Sequence, residues 1–174
     1  MANTHFQTQV AKFPGLGVPG DKASLNPIVT TDRNYIAGDA AVKVGNFVWA
    51  DPLNPVSPDY HGSGVWEALS TGGAGVLPLG VVMRNLSYVN YDILSGATLT
   101  VAKGANLTVV TRADLYAVAT TAATKGQKVF ATLAGGAIQT GAAGATIAGA
   151  IETPWFVVEG GAAGELITIS AWRQ

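Results

Sequence analysis

No window of this chain places apolar residues at i, i+3, i+4 and i+7 behind a capping residue. The amphipathic helix is therefore excluded as its main building block. What recurs instead is the two-residue period of a half-buried strand. Leu166-Ile167-Thr168-Ile169-Ser170-Ala171 alternates apolar and polar side chains, as a strand with one wet face must. Thr98–Val101 and Asn106–Val109 repeat that pattern on either side of Lys103-Gly104, which predicts a hairpin. Further β-branched and aromatic runs are Phe47–Trp49, Leu79–Met83, Leu115–Ala119, Val129–Ala131 and Trp155–Val158, each bounded by Gly, Pro, Asn or Asp. The Ala-rich stretch 134–150 holds good helix formers. It also holds Gly135, Gly136, Gly141, Gly144 and Gly149, and each costs about 1 kcal/mol relative to Ala inside a helix. Short strands at about 8–12-residue spacing predict an all-β domain, a jelly roll, sandwich or barrel of antiparallel strands.

Pro and Gly also divide the chain. Residues 1–27 hold Pro14, Pro19 and Pro27 with Gly15, Gly17 and Gly20, a composition that starves a sheet of donors and reads as an extended N-terminal arm. Residues 28–174 form the β-domain. Pro52, Pro55 and Pro58 mark a long surface loop near 51–75. The arm's apolar groups are scattered, and among them Phe13, Leu16 and Val18 stand on a backbone stiffened by Pro14 and Pro19. Too sparse to hold the arm down, they are expected to sit in grooves of an adjoining subunit or a partner.

Charge narrows the functional classes. Ten basic and eleven acidic residues make up 12% of the chain, against roughly 25% in an average soluble domain. So thin a charge coat predicts a surface covered by copies of itself, a dimer or a trimer, or by a larger assembly. A net charge of −1 excludes nucleic acid as the expected partner, since phosphate recognition needs clustered Lys and Arg. Cysteine is absent, which removes disulfides and thiolate sites and fits assembly in a reducing cytoplasm. The first ten residues are polar and unlike a secretory leader. The uncharged stretch 133–151 is Gly/Ala/Thr-rich and lacks the density of a membrane span.

Candidate chemistry is thin. Gly15, Gly17 and Gly20 match G-x-G-x-x-G, but no apolar strand precedes them and Pro19 interrupts them, so they predict a kinked arm rather than a nucleotide cradle. His61-Gly62-Ser63-Gly64 lacks the glycine two residues before the serine that a nucleophile elbow needs. His5 and His61 are the only histidines, too isolated to predict a metal site. Asp32, Asp39, Asp51 and Asp59 stand in turn contexts, where Asp serves turn chemistry before glycoside hydrolysis. Trp49, Trp66, Trp155 and Trp172 stand in or beside strands, suiting core packing or sugar stacking. Asn85 and Asn106 begin formal sequons without meaning in a bacterial cytoplasm. No catalytic residue, metal or cofactor is expected.

Five segments then match a known family in order: Gly17-Val18-Pro19-Gly20-Asp21-Lys22-Ala23-Ser24-Leu25-Asn26-Pro27, Val42–Asp51, Pro78–Arg84, Arg112–Val118 and Lys125–Ala131. Over residues 13–172 the chain resembles the structural cement (capsid decoration) proteins of bacteriophages. It departs from their pattern at Ala113 for Gly, Met83 for a frequent His, and a longer loop around 51–75. The resemblance implies a β-rich, non-enzymatic virion protein that binds the major capsid protein on the capsid's outer surface and stabilises the shell. Two other readings of the same β composition are a tail-associated or host-surface carbohydrate-binding module and a β-rich polysaccharide hydrolase.

Overall fold

The computed structural model describes residues 17–52, 65–85 and 99–172. They form an all-β structure of two sheets, with no helix among the described residues. The strands are β1 (Val29–Thr30), β2 (Asn34–Ala37), β3 (Phe47–Ala50), β4 (Val65–Leu69), β5 (Gly80–Val82), β6 (Asn106–Leu107), β7 (Val109–Arg112), β8 (Asp114–Val118), β9 (Lys128–Thr132), β10 (Ile138–Gly141), β11 (Ala150–Glu159) and β12 (Leu166–Ser170). Seven of them order as β1-β7-β5-β3-β4-β2-β6, and five as β10-β9-β11-β12-β8.

The five-stranded sheet curls until its edges meet. Beyond β8 the chain bridges to β10 at Ala119 and Ile138, and the Thr120 amide donates to the Ile138 carbonyl at 2.8 Å. Thr140 Oγ1 then donates to the Ala122 carbonyl at 3.0 Å. Curling this way closes the sheet beyond the end of β8, while β8 itself keeps a free edge within the sheet.

The runs Phe47-Val48-Trp49, Val81-Val82 and Val109-Val110 are apolar without alternation because both of their faces are buried. Phe47, Trp49, Val81 and Val110 point into a core shared with the five-stranded sheet, among Leu115, Ile138, Trp155 and Ile169. Val48, Val82 and Val109 point the other way, into a second core with Tyr35, Val42, Val101 and Leu107. The wall formed by β3, β5 and β7 thus serves two cores, and Phe47 meets Trp155 edge to face across the first, centroids 6.2 Å apart.

Two expectations are corrected. The turn at Lys103-Gly104 exists, with Gly104 at φ +82°, but its flanks do not form a hairpin. Thr100 bridges to Lys43 and β6 pairs with β2, and this pairing places Val101 and Leu107 in the second core. The strands are not all antiparallel: β2 and β4 run parallel, Tyr35 opposite Trp66. Residues 134–150 are non-helical as expected, and they contain β10.

Candidate functional site

Four of the five segments that carry the family resemblance converge on one corner. The first folds as a strap. Val18-Pro19-Gly20-Asp21 makes a turn closed by the Asp21 amide on the Val18 carbonyl at 3.0 Å. Gly20 takes φ +83°, the conformation that the third position of a type II turn demands after proline. The strap then lies along the open edge of β8. Gly20 donates to the Tyr116 carbonyl at 2.8 Å, Tyr116 to the Asp21 carbonyl at 2.9 Å, and Ala23 to the Asp114 carbonyl at 2.8 Å. From the third segment, the Arg84 amide donates to the Gly20 carbonyl at 2.9 Å, and the Arg84 guanidinium reaches Asp21 Oδ1 at 3.3 Å. From the second, Gly45 packs against Pro19 and donates to the Val82 carbonyl at 2.8 Å.

Asp114 is the knot. It is 7% exposed, and its Oδ2 accepts from Ser24 Oγ at 2.6 Å and Asn26 Nδ2 at 2.7 Å. Burial pushes its carboxyl up, but hydrogen bonds from Ser170, Ser24 and Asn26 and the nearby charge of Lys22 outweigh burial and hold it below the usual carboxylate range. Ser170 stands opposite Asp114 in the β12–β8 register. A lowered folded-state value means stabilisation that is complete above the unfolded value and is lost as pH falls through the folded one. Asp114→Ala should therefore loosen the strap. Charged hydrogen bonds contribute about 1.5–3 kcal/mol each, so protection of the Gly20 and Ala23 amides from hydrogen exchange should fall by roughly 10–100-fold at neutral pH. In the parent protein the same protection should persist at pH 7 and fade below about pH 4. Unchanged protection in Asp114→Ala would show that the strap is held elsewhere.

Of the arm residues singled out as an interface, Val18 stands at the strap's first turn, 38% exposed. Phe13 and Leu16 lie outside the described residues, as do His5, Asp59, His61 and Ser63. The described part of the arm is thus seated on its own domain, because β8 offers an open edge and Asp114 a buried acceptor. Of the G-x-G-x-x-G glycines, Gly17 lies flat against the Tyr116 ring and Gly20 makes the turn.

The remaining candidates have structural tasks. Asp39 accepts from the Ala41 amide, the Ser70 amide and Ser70 Oγ at 2.8–3.0 Å. Asp32 lies 3.9 Å from Arg33 on the surface, and Asp51 is buried. Trp49 and Trp155 are core residues, each 2% exposed. The Trp66 ring carries the Arg33 guanidinium at 3.9 Å from its centroid, and Arg112 lies 6.0 Å from that of Trp172. A groove of about 290 Å³ lies beside Trp49, Pro52, Leu69, Thr71 and Val76, and among the described residues its lining has no ionisable side chain. Among the described residues no group of three or more His, Cys, Asp or Glu could hold a metal ion.

The family model for the XM1 gp53 minor capsid protein matches residues 6–171. The chain belongs to this family. This minor capsid protein is a structural component of a phage virion, located in its capsid, as the order of its sequence segments predicts. A chain in the solved capsid of Myoviridae phage XM1 shares its fold, with a TM-score of 0.60 and 14% identity over 95% of this chain and 96% of that one. No curated protein matches it.

Proposed function

We propose that the chain is a cement protein, seated as a homo-oligomer on the outer face of the capsid and bound to the major capsid protein. The observation that carries this reading is the reach of the family match, residues 6–171. The match to a capsid component runs through both sheets and the strap rather than through one motif. The thin charge coat supports it, since ten basic and eleven acidic residues on 174 suit a surface that works while covered. Capsid symmetry supports oligomerisation, because a symmetric site favours a symmetric occupant. Val18, together with Phe13 and Leu16, is assigned to the contact with a neighbour.

An electron cryomicroscopy reconstruction of the virion tests the placement. Density fitted by the two-sheet fold should stand on the outer face, over capsid subunits. Density confined to the inner face or to the tail would overturn the proposal.

A further inference from the structure

The strap leads into the outermost strand of the seven-stranded sheet, and the side chains along this path divide by chemistry. Ser24 and Asn26 turn inward to Asp114, and Ile28 packs against the first core. Leu25, Pro27 and Val29, the residues between and after them, are exposed. Leu25 is 100% exposed and Val29 41%.

A fully exposed leucine is ordinary on a floppy loop. This one is clamped from both sides: its two neighbours bond the same carboxylate oxygen, and the Asn26 amide closes on Ser24 Oγ at 3.0 Å. Val29 is fixed as well, opposite Arg112 in the β1–β7 register, with its carbonyl accepting from Thr111 Oγ1 at 3.1 Å. An apolar group held in place without burial has no role in its own fold. It also loses little entropy on docking, which is the property of an anchor residue.

Among the described residues, the exposed charges next to this ridge are basic. Lys22 precedes the ridge and Arg112 stands beside Val29, both exposed. The acidic groups of the strap's corner are engaged, Asp21 by Arg84 and Asp114 beneath Ser24 and Asn26; Asp32, further along, lies against Arg33. A partner complementary to this surface offers an apolar cleft rimmed by carboxylates.

We infer that Leu25, Pro27 and Val29 form an apolar anchor that inserts into an acid-rimmed apolar cleft of the capsid shell protein. The inference rests on the cement reading and names the surface that performs it.

The test is co-sedimentation of the full-length labelled protein with phage shells stripped of it. Leu25→Ser should keep the parent melting temperature, since the leucine touches nothing, and weaken shell binding on the order of 10- to 100-fold. Leu25→Met, which keeps the apolar surface, should bind within about threefold of the parent. Lys22→Glu combined with Arg112→Glu should weaken binding most at low salt, where the attraction is least screened. Leu77→Ser, at another exposed apolar site (62% exposed), should change nothing. Equal binding by Leu25→Ser and the parent would overturn the anchor while leaving the cement reading intact. So would a Leu25→Ser variant that binds shells normally but loses self-association in light scattering, which would assign the ridge to a second copy. A parent protein that does not bind stripped shells would overturn the cement reading itself, and the anchor with it.

Discussion

Gly136→Val is expected to abolish cooperative folding. Gly136 sits at φ +62°, where a side chain costs roughly 1–2 kcal/mol by itself. A Cβ there would also fall on the Phe47 carbonyl oxygen and come within 3.0 Å of the Phe47 nitrogen. Both obstacles are backbone, so no rotamer change relieves them. The site cannot simply open, because the Phe47 amide donates to the Gly136 carbonyl at 2.8 Å and Asn46 Nδ2 to the Gly135 carbonyl at 2.8 Å. This turn between β9 and β10 is where one sheet grips the first residue of β3, the strand that serves both cores. Strain plus clash should exceed about 4 kcal/mol, a large part of the roughly 5–15 kcal/mol that holds a domain together. Gly144, at φ +74° with open space around its would-be Cβ, supplies the control: Gly144→Ala should cost only about 1–2 kcal/mol. Urea unfolding of both variants checks the difference. A Gly136→Val protein with the parent midpoint would show that β3 is not held at this turn.

The strands legible in the sequence were those whose own residues announce them. β12 alternates over five residues, and β3, β5, β8 and β9 carry dense β-branched or aromatic runs. Those that escaped are strands by virtue of their partners. β1 is two residues long and is paired, with a register shift, to β7, and β10 reads Ile-Gln-Thr-Gly until β9 pairs with it. Trp155–Val158 announced only the last part of β11. Its first half is hidden by Pro154, at an irregularity where Thr153 Oγ1 bonds the Val129 carbonyl at 2.8 Å. Local pattern also misassigned the flanks of Lys103-Gly104, whose partners at Lys43 and Tyr35 lie more than fifty residues away. Sequence order gave the family without the reason its segments cohere. Ser24 and Asn26 are separated from Asp114 by 90 and 88 residues, and no spacing rule links a surface strap to a carboxylate so distant. The anchor at Leu25 was invisible for the same reason: a leucine in a Pro/Gly-rich arm becomes notable only once its neighbours are seen to be tied down.

Removing this protein from intact particles is expected to lower the temperature at which the shell ruptures, and adding it back should restore that temperature saturably. A ligand that binds only the assembled shell stabilises it by RT ln(1 + [L]/Kd), about 2.7 kcal/mol per site at 100-fold saturation. Repeated over a symmetric lattice, that is enough to govern when the shell fails. Shell rupture is read by genome release, as the fluorescence of an intercalating dye during a slow temperature ramp, on native, stripped and reconstituted particles. Cement function predicts early release from stripped particles and recovery on reconstitution. Superimposable curves for all three would contradict it.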